Sequence, residues 1–225
     1  MSNLTIYHGS SEIIKTPEYR KGTVYNDYGQ GFYCTEHIEL AKEWACTENT
    51  DGFVNKYEID ISSLNILNLS SEEYTILHWL ALLMNNRKVR LSTPIMKKGA
   101  QWLYENFLPD ITGYDVIIGY RADDSYFSFA RAFVNNEISL KQLSYAMRLG
   151  NLGEQFVLKS RKAFDCINFT SYEPADSTIY YTLRKARDEK ARNAFFAELE
   201  NDDADGIFMR DITREEIKPD DLRLR

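Results

Sequence analysis

Two glycines one residue apart, Gly29 and Gly31, stand directly before an aromatic run that ends at Thr35. Glycine permits backbone conformations, and a close approach of a ligand, that a side chain would block. The residues after Gly31 are rich in strand formers, so segment 27–35 predicts a loop that leads straight into a strand. We interpret this segment as a loop that delivers a strand into a pocket, around which the rest of the chain is organised.

Patterns typical of strands alternate along the chain with patterns typical of helices. Alternating or compact apolar runs predict strands at 4–8, 53–60, 64–69, 114–120, 154–160 and 163–169. Apolar residues at helical spacing predict helices at 36–45, 72–84, 97–107, 126–134, 139–149 and 176–199. Thr35 is the expected N-cap of the first helix, and Ser70 or Ser71 that of the second. Because no repeat or linker divides the chain, we expect a single domain over residues 1–225.

Composition limits the class of protein. A chain of 225 residues that is 44% hydrophobic can bury one substantial core without a metal or disulfide. The formal net charge of −7 weakens the case for a nucleic-acid partner without excluding a local basic patch. Cys34, Cys46 and Cys166 fit neither a disulfide framework nor metal-ligand spacing, so we expect free thiols. No signal peptide and no apolar run of about 20 residues is present, so we expect a cytoplasmic protein without a membrane partner.

The familiar catalytic motifs are missing from the sequence. It contains no histidine pair at metal-ligand spacing, no Gly-x-Ser-x-Gly elbow, no P-loop and no dinucleotide-binding fingerprint. We therefore expect no metal site. What remains is a set of residues at three separated predicted strands: His8 at the end of the first, Tyr33 behind the glycines, and Gln155 at the start of a late one.

Three short motifs of the chain resemble those of the histidine–tyrosine class of ADP-ribosyltransferases, which includes poly-ADP-ribose polymerases and diphtheria toxin. The motifs are Tyr7-His8-Gly9-Ser10, Gly31-Phe32-Tyr33-Cys34-Thr35 and Glu154-Gln155-Phe156-Val157-Leu158. The resemblance covers roughly residues 4–170. More narrowly, the chain resembles a bacterial domain family of unknown function in that superfamily, sometimes encoded beside small partner proteins in toxin–antitoxin-like arrangements.

The resemblance implies an α+β fold, an ADP-ribosyltransferase-like split β-sandwich. In it, two small and mostly antiparallel sheets flank a cleft that binds NAD as the substrate. A helical insertion would occupy residues 70–110, and a C-terminal helical extension with a long helix would occupy residues 175–225.

The resemblance also implies roles for individual residues. The catalytic set would be His8, Tyr33 and Gln155, and the NAD-binding set would be Gly9, Ser10, Tyr33 and Trp44. His8 would hydrogen-bond a ribose hydroxyl, and the backbone of Gly9 would hold the nicotinamide carboxamide. Tyr33 would stack on one face of the nicotinamide ring and Trp44 on the other. Ser10 would contact the adenosine side.

The third motif departs from the class, which commonly has a glutamate where this chain has Gln155. Glutamine can hydrogen-bond a ribose hydroxyl, but it cannot act as a general base or an anionic stabiliser. This argues against poly-ADP-ribose elongation and leaves mono-ADP-ribosylation, NAD hydrolysis or weak NAD binding open. Glu154 would point to the opposite face of the strand. The next carboxylate candidates are Asp123 and Asp124, which follow a predicted apolar strand and are otherwise a helix cap.

Each singled-out residue also has a structural interpretation. A histidine at a strand end, such as His8, is often a structural hydrogen-bonding group, and Trp44 on an apolar helix face is often core. Arg20 and Lys21 either meet the NAD phosphates or form an ordinary solvated pair. Cys34 should point away from whatever Tyr33 faces, which speaks against a nucleophilic role.

Two functions follow from the resemblance. The first is an NAD-dependent mono-ADP-ribosyltransferase that acts on a protein or nucleic-acid acceptor, as an intracellular bacterial toxin or defence component restrained by a small protein antitoxin. The alternative is a catalytically weak NAD-binding or partner-binding module with a degenerate ADP-ribosyltransferase fold.

Overall fold

The computed structural model of the chain describes residues 3–122, 124–149, 153–201 and 203–224. Within these ranges, strands and helices alternate for most of the chain. The strands are β1 (Asn3–Ser10), β2 (Phe32–Cys34), β3 (Gly52–Asp60), β4 (Ile66–Asn68), β5 (Val116–Tyr120), β6 (Glu154–Leu158) and β7 (Ile167–Ala175). The helices are α1 (Ile38–Ala45), α2 (Ile76–Asn86), α3 (Pro94–Phe107), α4 (Asp124–Val134), α5 (Leu140–Ala146), α6 (Arg161–Asp165), α7 (Ser177–Leu199) and α8 (Met209–Arg214). A 3₁₀ turn at Leu222–Leu224 follows.

The strands form two small sheets. The first has the order β1-β3-β7 and is antiparallel throughout. The second has the order β2-β6-β5-β4, in which only the β4–β5 pair is parallel. The 23-residue helix α7 lies in the C-terminal part of the chain. The expected α+β fold with two small sheets and a long C-terminal helix is therefore confirmed.

The four-stranded sheet is covered on both faces. On one face, Phe156 and Leu158 of β6 share an apolar cluster with Ile6 and Tyr57 of the other sheet. On the opposite face, Val157 packs with the helices in a second and larger cluster. A strand buried on both faces reads as a continuous apolar run rather than an alternating one, which is the pattern of β6.

The N-caps of two helices differ from the sequence-based expectation. Helix α2 begins after Thr75, whose backbone N–H donates to Nδ1 of His78 at 3.0 Å, and not after Ser70 or Ser71. Helix α1 begins after His37, and the Thr35 hydroxyl accepts from the His37 backbone N–H at 3.2 Å. Several residues near each start can act as caps, so tertiary packing decides which one does.

The strand predicted at 163–169 is wrong in its first half. The Ser160 hydroxyl accepts from the backbone N–H of Ala163 at 3.1 Å and starts the short helix α6, and β7 follows only at Ile167. Most side chains of β7 beyond residue 169 are exposed, so this part of the strand shows no apolar alternation that the sequence could reveal.

Helices α2 and α3 pack against each other within the larger apolar cluster. The C-terminal end of α2 reaches the loop of residues 27–31, which we call the glycine loop. There the Asn86 side chain donates to the backbone oxygen of Asp27 at 3.1 Å. Helix α2 therefore contacts the loop that contains Gly29 and Gly31. None of the helices in the described ranges is long and apolar enough to cross a lipid bilayer.

Candidate functional site

The two sheets touch where β1 and β2 meet. The backbone groups of Tyr7 and Thr35 exchange two hydrogen bonds of 2.8 and 2.9 Å. His8 follows Tyr7 directly, and its Nδ1 lies 2.6 Å from the backbone oxygen of Tyr33. The end of the first strand and the strand behind the glycines are therefore joined side by side, although 25 residues separate His8 from Tyr33.

A cavity of about 430 Å³ opens at this junction. Its size lies within the range of small-molecule sites in proteins. Five of the six residues predicted to be functional line it: His8, Gly9, Tyr33, Trp44 and Gln155. They come from β1, β2, α1 and β6, so four elements converge on one space.

The remaining predicted residues lie elsewhere or outside the structure. Within the described part of the chain, Ser10 does not line the cavity, and its hydroxyl accepts from the backbone N–H of Glu12 at 3.2 Å. Asp123 lies outside the described residues, as does the side chain of Asp124. Glu154 is exposed at the start of β6, while Gln155 is buried.

His8 is held as a neutral ring. Because a carbonyl oxygen only accepts hydrogen bonds, Nδ1 carries the proton that is donated to Tyr33, which leaves Nε2 as an acceptor in the neutral ring. The imidazole stacks on Phe32 with 4.3 Å between ring centroids. Burial lowers the pKa of His8 below its usual value, and the hydrogen bond to Tyr33 offsets this only in part.

The Tyr33 hydroxyl is used to hold the glycine loop. It donates to the backbone oxygen of Gly29 at 2.6 Å and accepts from the backbone N–H of Tyr28 at 3.0 Å. Gly29 has a φ of 72°, a conformation that a side chain disfavours. Burial raises the pKa of Tyr33 well above its usual range, so the phenol stays neutral. The aromatic ring is thus the part of Tyr33 that is available to a ligand.

Gly9 is required by packing whether or not a ligand is bound. A Cβ atom at this position would collide with the backbone oxygen of Ala41 and lie 2.7 Å from the backbone nitrogen of Ala45. The glycine therefore lets β1 approach α1 closely. Because Trp44 stands on α1, this contact also sets the distance between Trp44 and the strand that carries His8.

Trp44 is covered on one face of its ring. The guanidinium carbon of Arg121 lies 4.1 Å from the centroid of the Trp44 ring, in a cation–π contact. The indole nitrogen of Trp44 is buried and has no hydrogen-bond partner among the described residues. The predicted stacking of Trp44 on a ligand is therefore limited to its other face while Arg121 stays in place.

Asp27 is a cavity residue that the sequence analysis did not single out. It is 3% exposed, and its carboxylate accepts from Arg87, from the backbone N–H of Ala122 and from the amide of Gln155. The only local signal was its place just before the glycines. Its partners lie 60 to 128 residues away along the chain, so no spacing rule could have brought them together.

Charged side chains complete the cavity wall. Lys21 and Glu18 line it and form an exposed ion pair of 2.6 Å. Arg87 and Arg121 also line it. Arg20 and Lys21 were considered as contacts for the NAD phosphates. Lys21 borders the cavity, whereas Arg20 lines a smaller neighbouring depression. Among the residues that the structure places, no cluster of His, Cys, Asp or Glu could hold a metal ion.

Cys34 lies on the other side of β2 from Tyr33. It is fully buried in the apolar layer between the two sheets, together with Phe32 and Tyr57. Burial raises the pKa of the Cys34 thiol, which opposes formation of the nucleophilic thiolate. This position agrees with the alternation of side chains along a strand.

A known sequence family matches most of the chain. A profile described as "Protein of unknown function (DUF3990)" matches residues 4–169, which include β1 through the first part of β7 and all the predicted site residues. No curated protein and no solved structure shows significant similarity to the chain.

Proposed function

We propose that this chain, which belongs to the family described as Protein of unknown function (DUF3990), binds NAD in its cavity and acts as a mono-ADP-ribosyltransferase. The observation that carries the proposal is a convergence. His8, Tyr33 and Gln155, which stand in three separate motifs, line one cavity of suitable size together with Gly9 and Trp44.

The chemistry of the lining suits cleavage of the bond between nicotinamide and ribose. Breaking this bond develops positive charge on the ribose, and hydrogen-bond acceptors fixed in advance stabilise such charge. Two residues that line the cavity carry a hydrogen-bond acceptor: Gln155 has Oε1, and neutral His8 has Nε2. The ring of Tyr33 offers a flat surface for the leaving nicotinamide.

The charge balance of the cavity favours a single transfer over polymer elongation. Elongation requires a base that activates a ribose hydroxyl as the next nucleophile. The carboxylate beside Gln155 belongs to Asp27, and Arg87 already neutralises it at 2.6 Å. The acceptor in our proposal is a protein or a nucleic acid, and the resemblance of the motifs supports a role as an intracellular bacterial toxin or defence component that a small protein antitoxin restrains.

The second candidate function is a catalytically weak module that binds NAD or a partner. The observation in its favour is the same carboxylate of Asp27: because Arg87 already pairs with it, it has less means to stabilise the charged transition state. Binding without turnover would distinguish this module from the enzyme.

The test combines NAD binding with product detection. Calorimetry measures NAD affinity, and incubation with labelled NAD and a cell lysate measures label transfer and nicotinamide release. We expect the wild type to bind NAD and release nicotinamide, and His8→Ala and Gln155→Ala to lose at least about 90% of the release, because each removes a positioned acceptor. Tyr145→Ala is the matched control, since Tyr145 is 47% exposed and lines a different groove.

The outcomes separate the two candidates. NAD binding without release or transfer by the wild type would favour the weak binding module. No NAD binding at all would remove NAD from both candidates and overturn the proposal.

A further inference from the structure

The carboxylate of Asp27 is saturated by hydrogen-bond donors. Its Oδ1 accepts from the guanidinium of Arg87, with Nε at 2.7 Å and a terminal nitrogen at 2.6 Å. Its Oδ2 accepts from the backbone N–H of Ala122 at 2.9 Å and from Nε2 of Gln155 at 3.2 Å. Arg87 also donates to the backbone oxygen of Ala122 at 2.7 Å, so Asp27, Arg87 and Ala122 form a closed ring of hydrogen bonds.

This arrangement fixes the direction of the Gln155 amide. A carboxylate only accepts hydrogen bonds, so the NH₂ group of Gln155 has to face Asp27 and its Oε1 has to face away. Gln155 is 6% exposed, and its Oε1 has no partner among the described residues. A buried acceptor without a donor is costly, and a ligand that supplies the donor removes that cost.

We infer that Asp27 is a positioning residue of the cavity: it fixes the Gln155 amide so that Oε1 is a permanent acceptor, and the site thereby selects ligand groups that donate a hydrogen bond. Hydroxyl and amide N–H groups satisfy Oε1, whereas a carboxylate or ether oxygen placed there meets another acceptor. The inference deepens the proposed function and rests on it for the choice of NAD as the probe.

The closeness of Asp27 explains why a glutamine suits position 155. A glutamate at position 155 would place a second carboxylate about as close to Asp27 as the present 3.2 Å contact, inside the protein. Two buried carboxylates at this distance cannot both ionise, so the pKa of one of them rises. Gln155→Glu therefore damages the site rather than gaining turnover, although the resembling class commonly has glutamate there.

Exchanging the two groups should repair that damage. In the double variant Asp27→Asn with Gln155→Glu, one carboxylate and one amide again face each other. The amide nitrogen of residue 27 takes the place of Oδ2 and donates to one oxygen at position 155, and the other oxygen stays an acceptor. Two losses keep the repair incomplete: Arg87 loses its charged partner, and the backbone N–H of Ala122 loses its acceptor.

The first experiment needs no ligand. Melting temperatures of the wild type, both single variants and the double variant are measured from pH 5 to pH 8. In Gln155→Glu the native carboxyl pKa is raised, so we expect its deficit against the wild type to grow as the pH rises. The double variant should melt above the value expected from adding the two single losses. A pH-independent Gln155→Glu deficit together with additive losses would overturn the inference.

The second experiment measures NAD affinity by calorimetry. We expect Asp27→Asn to weaken NAD binding about tenfold or more, because the Gln155 amide is no longer fixed, and the double variant to regain most of this loss. Asp115→Asn is the matched control: Asp115 is 8% exposed and hydrogen-bonded to Ser160 away from the cavity, so this variant should lose stability but keep its NAD affinity.

The two experiments fail in different ways. A double variant that binds NAD no better than Asp27→Asn contradicts the positioning role. A wild type that does not bind NAD contradicts the proposed function, while the melting temperatures still decide whether Asp27 and Gln155 are coupled.

Discussion

At the scale of single residues, the cavity is built from side chains whose other polar atoms are already engaged. His8 donates a hydrogen bond to the backbone oxygen of Tyr33, and the Tyr33 hydroxyl is hydrogen-bonded to the glycine loop. The amide nitrogen of Gln155 is bonded to Asp27. Each group therefore has one fixed orientation and offers a ligand only the atom or ring face that is left. Such preorganisation lowers the entropy lost when a ligand binds.

The neutral state of His8 predicts how acid affects the protein. The native pKa of His8 is lowered below its usual value of 6.5, so the unfolded chain takes up a proton near pH 6.5 that the native state does not. Stability contributed by burial of the neutral ring is therefore present above this pH and is lost as the pH falls. We expect His8→Asn to show a shallower fall in melting temperature between pH 7 and pH 5 than the wild type.

A direct measurement of the imidazole complements the melting curves. NMR titration should show a His8 midpoint below 6.5. A His8 midpoint at or above 6.5 would contradict the neutral buried ring.

At the scale of elements, the wall that carries Trp44 depends on the C-terminal helix. Glu43 of α1 is 3% exposed and forms an ion pair with Arg187 of α7. Burial raises the pKa of Glu43, and the charge of Arg187 opposes that rise. Helix α7 thus packs against α1 through this ion pair. The family match nevertheless ends at residue 169, before α7 begins.

Removing Arg187 should therefore destabilise the α1 wall. In Arg187→Met the Glu43 carboxylate stays buried without its partner, and we expect a loss on the order of 2–3 kcal/mol in the free energy of unfolding. The native pKa of Glu43 rises further in this variant, so the loss should be larger at pH 7 than at pH 5. Chemical denaturation at both pH values measures it.

Lys190→Met is the matched control on the same helix, because Lys190 is exposed. It should change the free energy of unfolding by less than about 0.5 kcal/mol at either pH. An Arg187→Met loss equal to that of the control would show that the ion pair does not hold α7 on α1.

At the scale of the whole molecule, the cavity is bordered by strands of both sheets. It is bordered by β1 of one sheet, β2 and β6 of the other, helix α1, the residue after α2 and the glycine loop. Lys159 ties that loop to the end of β6 by donating to the backbone oxygens of Tyr28 and Gln30. A ligand in this place would contact both sheets and α1 at once.

A bound ligand should therefore stabilise the complete fold. At an NAD concentration one hundred times the dissociation constant, mass action adds about 2.7 kcal/mol. For a chain of this size, that raises the melting temperature by roughly 5–10 °C. Hydrogen exchange should slow in β1, β2, β6 and the end of α2 together. The shift should be kept in Tyr145→Ala and lost in Gln155→Ala, and protection confined to one layer would contradict a site that spans both sheets.

Local patterns in the sequence were enough to locate most elements of this molecule. Runs of strand-forming residues placed β1, β3 and β6, helical spacing placed α3 and α7, and the family resemblance named five residues that line the cavity. The errors fall where local signals compete or vanish. Several polar residues near the start of α2 can each act as a cap, and the exposed end of β7 has no apolar alternation.

What the sequence determined by itself was the kind of element at each position and the residue types at its ends, because these depend on neighbours within a few residues. Only the tertiary structure decided which polar groups are already engaged. Asp27 meets Arg87, Ala122 and Gln155 across 60 to 128 residues, and such contacts follow from how the layers pack. The glycine loop could be recognised in the sequence, but the hydrogen bonds that hold the Asp27 carboxylate form only in the folded chain.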